Sequence, residues 1–336
     1  MKDGWSIVFT GRNQVEVIRE PTPEPGPGEV LLEARCTLIS TGTEGIILSR
    51  LYDPGTHWDR WVRYPFHPGY SFVGRVVAVG SEVKGFHPGD RVAARANHRQ
   101  FTVISAESLY PVPAGIADED AAWFGLANIV QIAVRRAEHS LGDAVVVVGL
   151  GLLGQLVVQY ARLMGARMVV AVDTADLRLE MARRHGATHT LPMDAASAVD
   201  EVHRLTGGGG DVVYDVTGHA DVFPHCLRMA RRLGKVVLLG DTGSPAKQCL
   251  TPDVVTRGLR IIGSHDSNAP QTGADPTVWD HHRMADLFFD YVQRGDMRVS
   301  DLVTHRYAPH EAPEAYAMLR ERRSEALGVI FDWTRI

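Results

Sequence analysis

Cysteine is scarce: the 336 residues contain three, at positions 36, 226 and 249. An odd, scattered set cannot build a disulfide framework, and its spacing fits no zinc finger or ribbon. Reduced thiols in a cytoplasmic protein are the expectation. No apolar run approaches the roughly 20 residues that cross a bilayer; the longest stretches are broken by Gly or by charge. The start of the chain has Asp3, Gly4 and Ser6 where a secretory leader would carry its apolar centre, so no leader is expected. Basic blocks are also missing. With a formal net charge of −5 and no basic stripe interleaved with aromatics, neither nucleic acid nor an anionic membrane is an expected partner. No internal repeat is present, and the one low-complexity piece, Gly207 to Gly210, has the length of a surface turn.

What is there changes character along the chain. The first part reads as short strands punctuated by Gly and Pro: Glu29 to Arg35 after the turn Pro21 to Gly28, then Ser71 to Val79, Arg91 to Ala94 and Phe101 to Ile104. Closely spaced strands with few helical patterns predict a β-rich domain. After about Ala117 the pattern alternates. Asp118 is placed to cap a helix over the apolar run Ala121 to Ala137. Apolar strands then recur at Ala144 to Val148, Met168 to Val172, Asp211 to Val216, Lys235 to Leu239 and Leu259 to Ile262, with a helical stretch from Leu152 to Met164. Continuous apolar strands bounded by helices are what a parallel sheet covered on both faces requires. A polar loop, Ser264 to Thr277, follows as a candidate lid; helical periodicity returns at Trp279 to Arg294 and Ala312 to Arg320, before a last strand at Leu327 to Phe331.

The strongest motif is Val145-Val-Val-Val-Gly149-Leu-Gly151-Leu-Leu-Gly154. The spacing G-x-G-x-x-G alone is weak, but here it follows a strand, opens a helix and precedes a second strand ending in an acid, Asp173. Gly149 permits the tight turn, Gly151 lets the backbone approach a pyrophosphate, and Gly154 lets helix and strand pack closely. The amides of Leu152 and Leu153 and the positive helix terminus would face the phosphates. A carboxylate at Asp173 accepts from ribose hydroxyls and repels a 2′-phosphate, which favours NAD over NADP; Arg178, five residues on, pulls the other way or serves the ribose edge. Thr217 and Gly240, after the later strands, are further cofactor candidates. The fold class expected is therefore α/β, with a Rossmann doubly wound parallel sheet.

These residues resemble the medium-chain dehydrogenase/reductase superfamily, the zinc alcohol dehydrogenase fold. Pro25-Gly-Pro-Gly-Glu-Val-Leu-Leu32, Pro68-Gly-Tyr-Ser-Phe-Val-Gly74, Val83 to Val92, the glycine fingerprint and the ending Val303-Thr-His-Arg-Tyr307 with Glu314-Ala-Tyr316 fall in that family's order. The resemblance implies a GroES-like catalytic domain over 1–120 and 267–336, with the NAD-binding domain, 121–266, inserted between. It also implies an active site in a cleft between domains and a homodimer. The catalytic metal pattern is missing, however. The family's Cys reads Ser40, its His-Glu pair reads Tyr70-Ser71, and its third ligand region reads Phe124-Gly125. Catalytic zinc takes three ligands from thiolate, imidazole and carboxylate, so no metal is expected. His281-His282 is a poor substitute, because adjacent helical residues point about 100° apart. The Ser-Thr-Gly-Thr-Glu stretch is most similar to zinc-free members like bacteriochlorophyllide a dehydrogenase.

Without a metal, hydrogen-bond donors must meet the developing alkoxide charge. Tyr70 stands where the zinc-binding His would reach, with the hydroxyls of Ser40, Thr41 and Thr43 beside it, while the family's relay position reads Gly42. Glu44 is a candidate general base or a structural carboxylate. Asn128 falls where the family packs a small polar residue on the nicotinamide. His57, Trp58, Asp59, Arg60 and Trp61 form a polar-aromatic cluster suited to a polyhydroxylated substrate or to loop packing, and His98 and His265 are further candidates for contacting it. The expected function is NAD-dependent, zinc-independent interconversion of a secondary alcohol and a ketone on a small molecule, such as a polar cyclitol- or sugar-like intermediate. Two alternatives stay open: an NADPH-dependent quinone or enoyl reductase of the same fold, and a non-enzymatic dinucleotide-binding protein.

Overall fold

Valine-rich segments with no polar interruption have both faces to bury, and they do so as a parallel sheet. A computed structural model describes all residues except Met1, Lys2, Ala274 and Pro276. Its chain divides into two compact units: Met1–Leu51, Arg60–Leu126 and Gln271–Ile336 in the first, Tyr52–Asp59 and Ala127–Pro270 in the second. The segment Tyr52–Asp59, which was not expected there, belongs to the second unit. It is held there by the Asp53 N–H on the Gly243 carbonyl at 2.8 Å and by His57 against Asp241.

The second unit contains six parallel strands: β1 (Ala144–Val148), β2 (Met168–Asp173), β3 (His189–Pro192), β4 (Gly210–Asp215), β5 (Ala230–Leu238) and β6 (Arg260–Gly263). Their order across the sheet is β3-β2-β1-β4-β5-β6. All five pairings are parallel. This is the Rossmann order, and its direction of winding reverses between β1 and β4, which opens a crevice outside their carboxyl ends. Val145, Val146 and Val147 are fully buried. Helices Leu152–Leu163, Asp176–Arg184, Ala195–Thr206 and Phe223–Met229 fall between successive strands. Five of the six strands match the expected apolar runs closely. β3 escaped notice because His189-Thr-Leu-Pro has only one buried side chain, Leu191.

In the first unit, strands from both ends of the chain share one sheet, in the order Val303–Tyr307, Gly328–Asp332, Glu29–Leu38, Phe72–Val79, Arg91–Ala94 and Tyr110–Pro111, with Phe101–Ser105 also paired to Glu29–Leu38. All of these pairings are antiparallel except the first, which is parallel. A separate hairpin, Gly4–Gly11 with Gln14–Glu20, was not anticipated. Asp118 does not cap the long helix. It begins a single turn, Asp118–Ala121, capped by Ala117, and its carboxylate accepts from Arg91 at 3.2 Å; the long helix is Phe124–Arg136. The candidate lid holds only a short turn, Asp266–Asn268, and its residues 274 and 276 lie outside the described residues. No helix among the described residues is long and apolar enough to cross a membrane.

Gly154 shows how tightly the glycine turn is packed. A Cβ there would lie 2.1 Å from the Gly149 carbonyl oxygen, whereas one on Gly151 would meet nothing within 4 Å. Ala normally gains about 1 kcal/mol over Gly inside a helix, so the clash must reverse the usual sign. Gly154→Ala is expected to lose about 1–3 kcal/mol in urea denaturation, with Gly151→Ala unchanged; equal stability of the two variants would refute the contact.

Candidate active site

The glycine turn is built from both sides. Gly149 has φ +91°, and a Cβ there would press on Thr217 at 2.8 Å, so the turn passes flush against the end of β4. Helix Leu152–Leu163 begins after Gly151 with no side chain capping it. Its first-turn amides and positive terminus are therefore presented to an anion, as the pyrophosphate cradle requires. Asp173 does more than expected. Its carboxylate accepts the Leu150 N–H at 2.8 Å and the Ala175 N–H at 2.9 Å, and Arg178 lies 3.7 Å away. An ionised carboxylate has about four acceptor positions, so lone pairs remain for ribose hydroxyls. The residues fit a dinucleotide: Gly149, Gly151, Leu152, Leu153 and Gly154 around the pyrophosphate, Asp173 and Arg178 at the ribose. Thr217 and Gly240 sit at the same end of the sheet; a Cβ on Gly240 would strike the Gly218 amide at 2.3 Å. Sequence reasoning missed Asp215, which ends β4 as Asp173 ends β2. It is buried, its oxygen accepts from Thr217 N–H and Oγ1 at 3.1 and 2.7 Å, and burial pushes its carboxyl up against those bonds. Asn128 is also fully buried.

In the first unit, Ser40 and Tyr70 meet: Oγ and Oη are 2.6 Å apart. Ser40 precedes helix Thr41–Ser49 but spends no side-chain bond on capping it. Glu44 reaches back one turn to accept the Ser40 N–H at 2.7 Å. Tyr70 leaves a turn that only glycine allows, since a Cβ on Gly69 (φ +99°) would sit 2.8 Å from the His98 ring; Asn97 Nδ2 braces the same turn through the carbonyls of His67 and Gly69. Burial pushes the Tyr70 phenol up, opposed by hydrogen bonds from Ser40 and Thr43 and by the charge of Arg95. The positions that the resemblance assigns to metal ligands thus hold the hydroxyls of Ser40, Tyr70 and Ser71 and, at Phe124-Gly125, no ligating group. That set does not fit catalytic zinc. Among the described residues, no group of three or more His, Cys, Asp or Glu is placed to hold a metal ion.

The remaining candidates separate. Glu44 is 1 % exposed and His98 fully buried. The second Glu44 oxygen is shared by His98 Nε2 at 3.1 Å and Tyr316 Oη at 2.5 Å, and His98 Nδ1 is 2.8 Å from Thr37 Oγ1, which also accepts from Trp333 Nε1. Both ring nitrogens of His98 are committed, so its expected substrate contact is corrected to a packing role. Glu44 is likewise placed as a structural carboxylate, because every bond it makes braces the unit. Of the polar-aromatic cluster, Trp58 is buried, while His57 Nε2 pairs with Asp241 at 2.8 Å in the second unit. Asp59 accepts from the Gly55 N–H. Trp61 belongs to the first unit and packs edge-on against Phe66. His265 caps its own short turn through Ser267 and Asn268. His282 Nε2 donates to the Glu107 carbonyl at 2.8 Å.

Removing Glu44 strands two buried side-chain partners and one amide, at about 1–3 kcal/mol each. Glu44→Ala is expected to cost at least about 3 kcal/mol in urea denaturation, against about 1 for Tyr316→Phe. Similar small losses in both would show that Glu44 is not the hub.

The GroES-like domain of alcohol dehydrogenase matches residues 26–114, and the zinc-binding dehydrogenase domain matches residues 153–277. The L-threonine 3-dehydrogenase of Anaeromyxobacter sp. (strain Fw109-5) is 30% identical over 351 residues, covering 93% of this chain and 94% of that protein. Among solved structures, a dehydrogenase of the zinc-binding type from Sinorhizobium meliloti 1021 bound to NADP is 23% identical, with a TM-score of 0.81 over 99% of this chain and 100% of that one. An alcohol dehydrogenase from Escherichia coli CFT073 complexed with NADH is 19% identical, with a TM-score of 0.82 over 99% and 100%. The chain belongs to the medium-chain dehydrogenase/reductase superfamily and is an oxidoreductase of the alcohol dehydrogenase type.

Proposed function

We propose that this enzyme is a zinc-independent, NAD-dependent dehydrogenase that interconverts a secondary alcohol and a ketone. The reading rests on one observation above the others: Ser40 and Tyr70 hydrogen-bond to each other at 2.6 Å where a metal's ligands would stand. Bound nicotinamide supplies a hydride acceptor for the carbinol carbon. Tyr70, as phenolate, takes the proton from the substrate hydroxyl, so hydride and proton leave together as the ketone forms. Ser40 donates to the phenolate oxygen, and Thr43 adds a second hydroxyl. The proposed catalytic domain comprises 1–120 and 267–336, and the cofactor domain 121–266. Asn128 is proposed at the nicotinamide, and the edge strand β6 at a homodimer contact.

Asp173 supports NAD, since a carboxylate facing the ribose repels a 2′-phosphate. Arg178, within 3.7 Å of it, is the observation that favours the second reading, an NADPH-dependent quinone or enoyl reductase. The pair is unequal: the guanidinium is already neutralised by Asp173. His57, 50 % exposed and paired to Asp241, with Asp59 beside it, favours a polyhydroxylated substrate; a panel in which simple secondary alcohols outrun polyols would remove that assignment.

By calorimetry, NADH is expected to bind at least about tenfold more tightly than NADPH, and Asp173→Asn to erase that preference. A native preference for NADPH would select the reductase instead. Tyr70→Phe is expected to lower turnover by about 10²-fold or more with the NAD affinity kept. An unchanged rate, or stoichiometric zinc in the purified protein, would refute the proton role.

A further inference from the structure

A neutral hydroxyl pair leaves open what positive charge meets the oxygen that becomes negative. Arg95 follows strand Arg91–Ala94 and is half-buried. Its guanidinium carbon lies 5.4 Å from the centre of the Tyr70 ring, and its Nη2 donates to the Gly125 carbonyl at 3.2 Å. A Cβ built on Gly125 would fall 3.9 Å from that Nη2, 3.2 Å from Ser71 Oγ and 3.6 Å from the Tyr70 carbonyl. The guanidinium is therefore anchored on the Gly125 carbonyl and lies over the Tyr70 ring, beside a position, 125, from which no side chain projects.

We propose that Arg95 is the fixed cation of this hydroxyl cluster, a positioning residue that stabilises negative charge on the Tyr70 oxygen. The inference rests on the proton role proposed for Tyr70. Two charged groups act on the phenol in opposite senses, Arg95 favouring the phenolate and Glu44 opposing it, while the Ser40 and Thr43 hydroxyls side with Arg95. Burial outweighs the opposing groups and keeps the phenol up; the Ser40 hydrogen bond opposes it most, and Arg95 opposes it through its positive charge. Oxidation of the alcohol needs the phenolate, so its rate rises with pH through the phenol's ionisation. Loss of Arg95 moves that rise to higher pH.

The titration that tests Arg95 needs no substrate. The full chain is produced with 3-fluorotyrosine, which lowers every phenol's ionisation into an accessible range, and the ¹⁹F resonance of Tyr70 is identified as the one of nine tyrosine signals absent in Tyr70→Phe. Arg95→Gln keeps a donor for the Gly125 carbonyl but removes the charge. Its Tyr70 midpoint is expected about one pH unit or more above wild type; Arg95→Lys should stay near wild type. Arg95→Met, which keeps the packed stem, must shift the midpoint in the same direction, and the other resonances report folding. An unmoved midpoint in the folded charge-free variants overturns the assignment. Turnover distinguishes the two proposals: an unchanged rate in Tyr70→Phe removes the proton role whatever the titration shows. A slow Tyr70→Phe with an unmoved midpoint removes only Arg95.

Discussion

The second unit depends on a contact between two stretches of backbone. β1 runs apolar to Val148, the chain turns at Gly149, and the helix that follows returns so closely that Gly154 lies against the carbonyl of Gly149. No side chain can be inserted there. The contact fixes where the helix starts, and therefore where its uncapped amides point. Asp173 completes the arrangement from the neighbouring strand by accepting the Leu150 N–H. The carboxylate proposed to choose between cofactors is thus also a clamp on the turn that holds their phosphates. On the proposed reading, specificity and turn geometry are coupled through one side chain, so a substitution made there to change cofactor preference also removes the bond to the Leu150 N–H.

The first unit is tied together by a different device. Glu44 is buried, and a buried carboxylate is costly unless its oxygens are met by donors. Here the donors come from segments far apart in the chain: the Ser40 amide beside it, His98 from the middle, and Tyr316 from near the end. Thr37 and Trp333 extend the network. Since both chain ends contribute strands to the same sheet, this polar knot joins them in a second way. Glu44 holds the Ser40 backbone through its amide, while the Ser40 hydroxyl, which caps no helix amide, bonds to Tyr70.

What could be read in advance follows from how local each signal is. The apolar strands and the glycine spacing are properties of neighbouring residues, and most of the sheet was legible from them. β3 was not, because a four-residue edge strand with one buried side chain has no period to detect. The hairpin near the start was overlooked although its signal is local: Ile7, Val8 and Phe9 are buried, and Gln14-Val-Glu-Val alternates polar and apolar residues. In the site, Ser40 beside Tyr70 was anticipated from the family pattern. The environment of Glu44 and His98 was not, since its bonds span up to 272 residues and burial cannot be seen in a sequence. Arg95 carried no signal at all; one arginine after a strand looks like any surface charge until the fold sets it over an aromatic ring.

The electrostatics of the hydroxyl cluster then follow from magnitude. A zinc ion would contribute several kcal/mol to a developing alkoxide as a Lewis acid. One guanidinium at 5.4 Å from the ring, at an effective dielectric of about 20, contributes at most roughly 3 kcal/mol. The difference has to come from hydrogen bonds made to the charged form, which are stronger than those to a neutral one. Ser40 and Thr43 are placed to make them on the phenol, and burial, which by itself resists ionisation, strengthens each of them in turn. Under the proposed mechanism, three side chains share what a metal ion would concentrate at one point, and the precision of that arrangement rests on the Glu44 bond to the Ser40 amide and on the glycine turn before Tyr70.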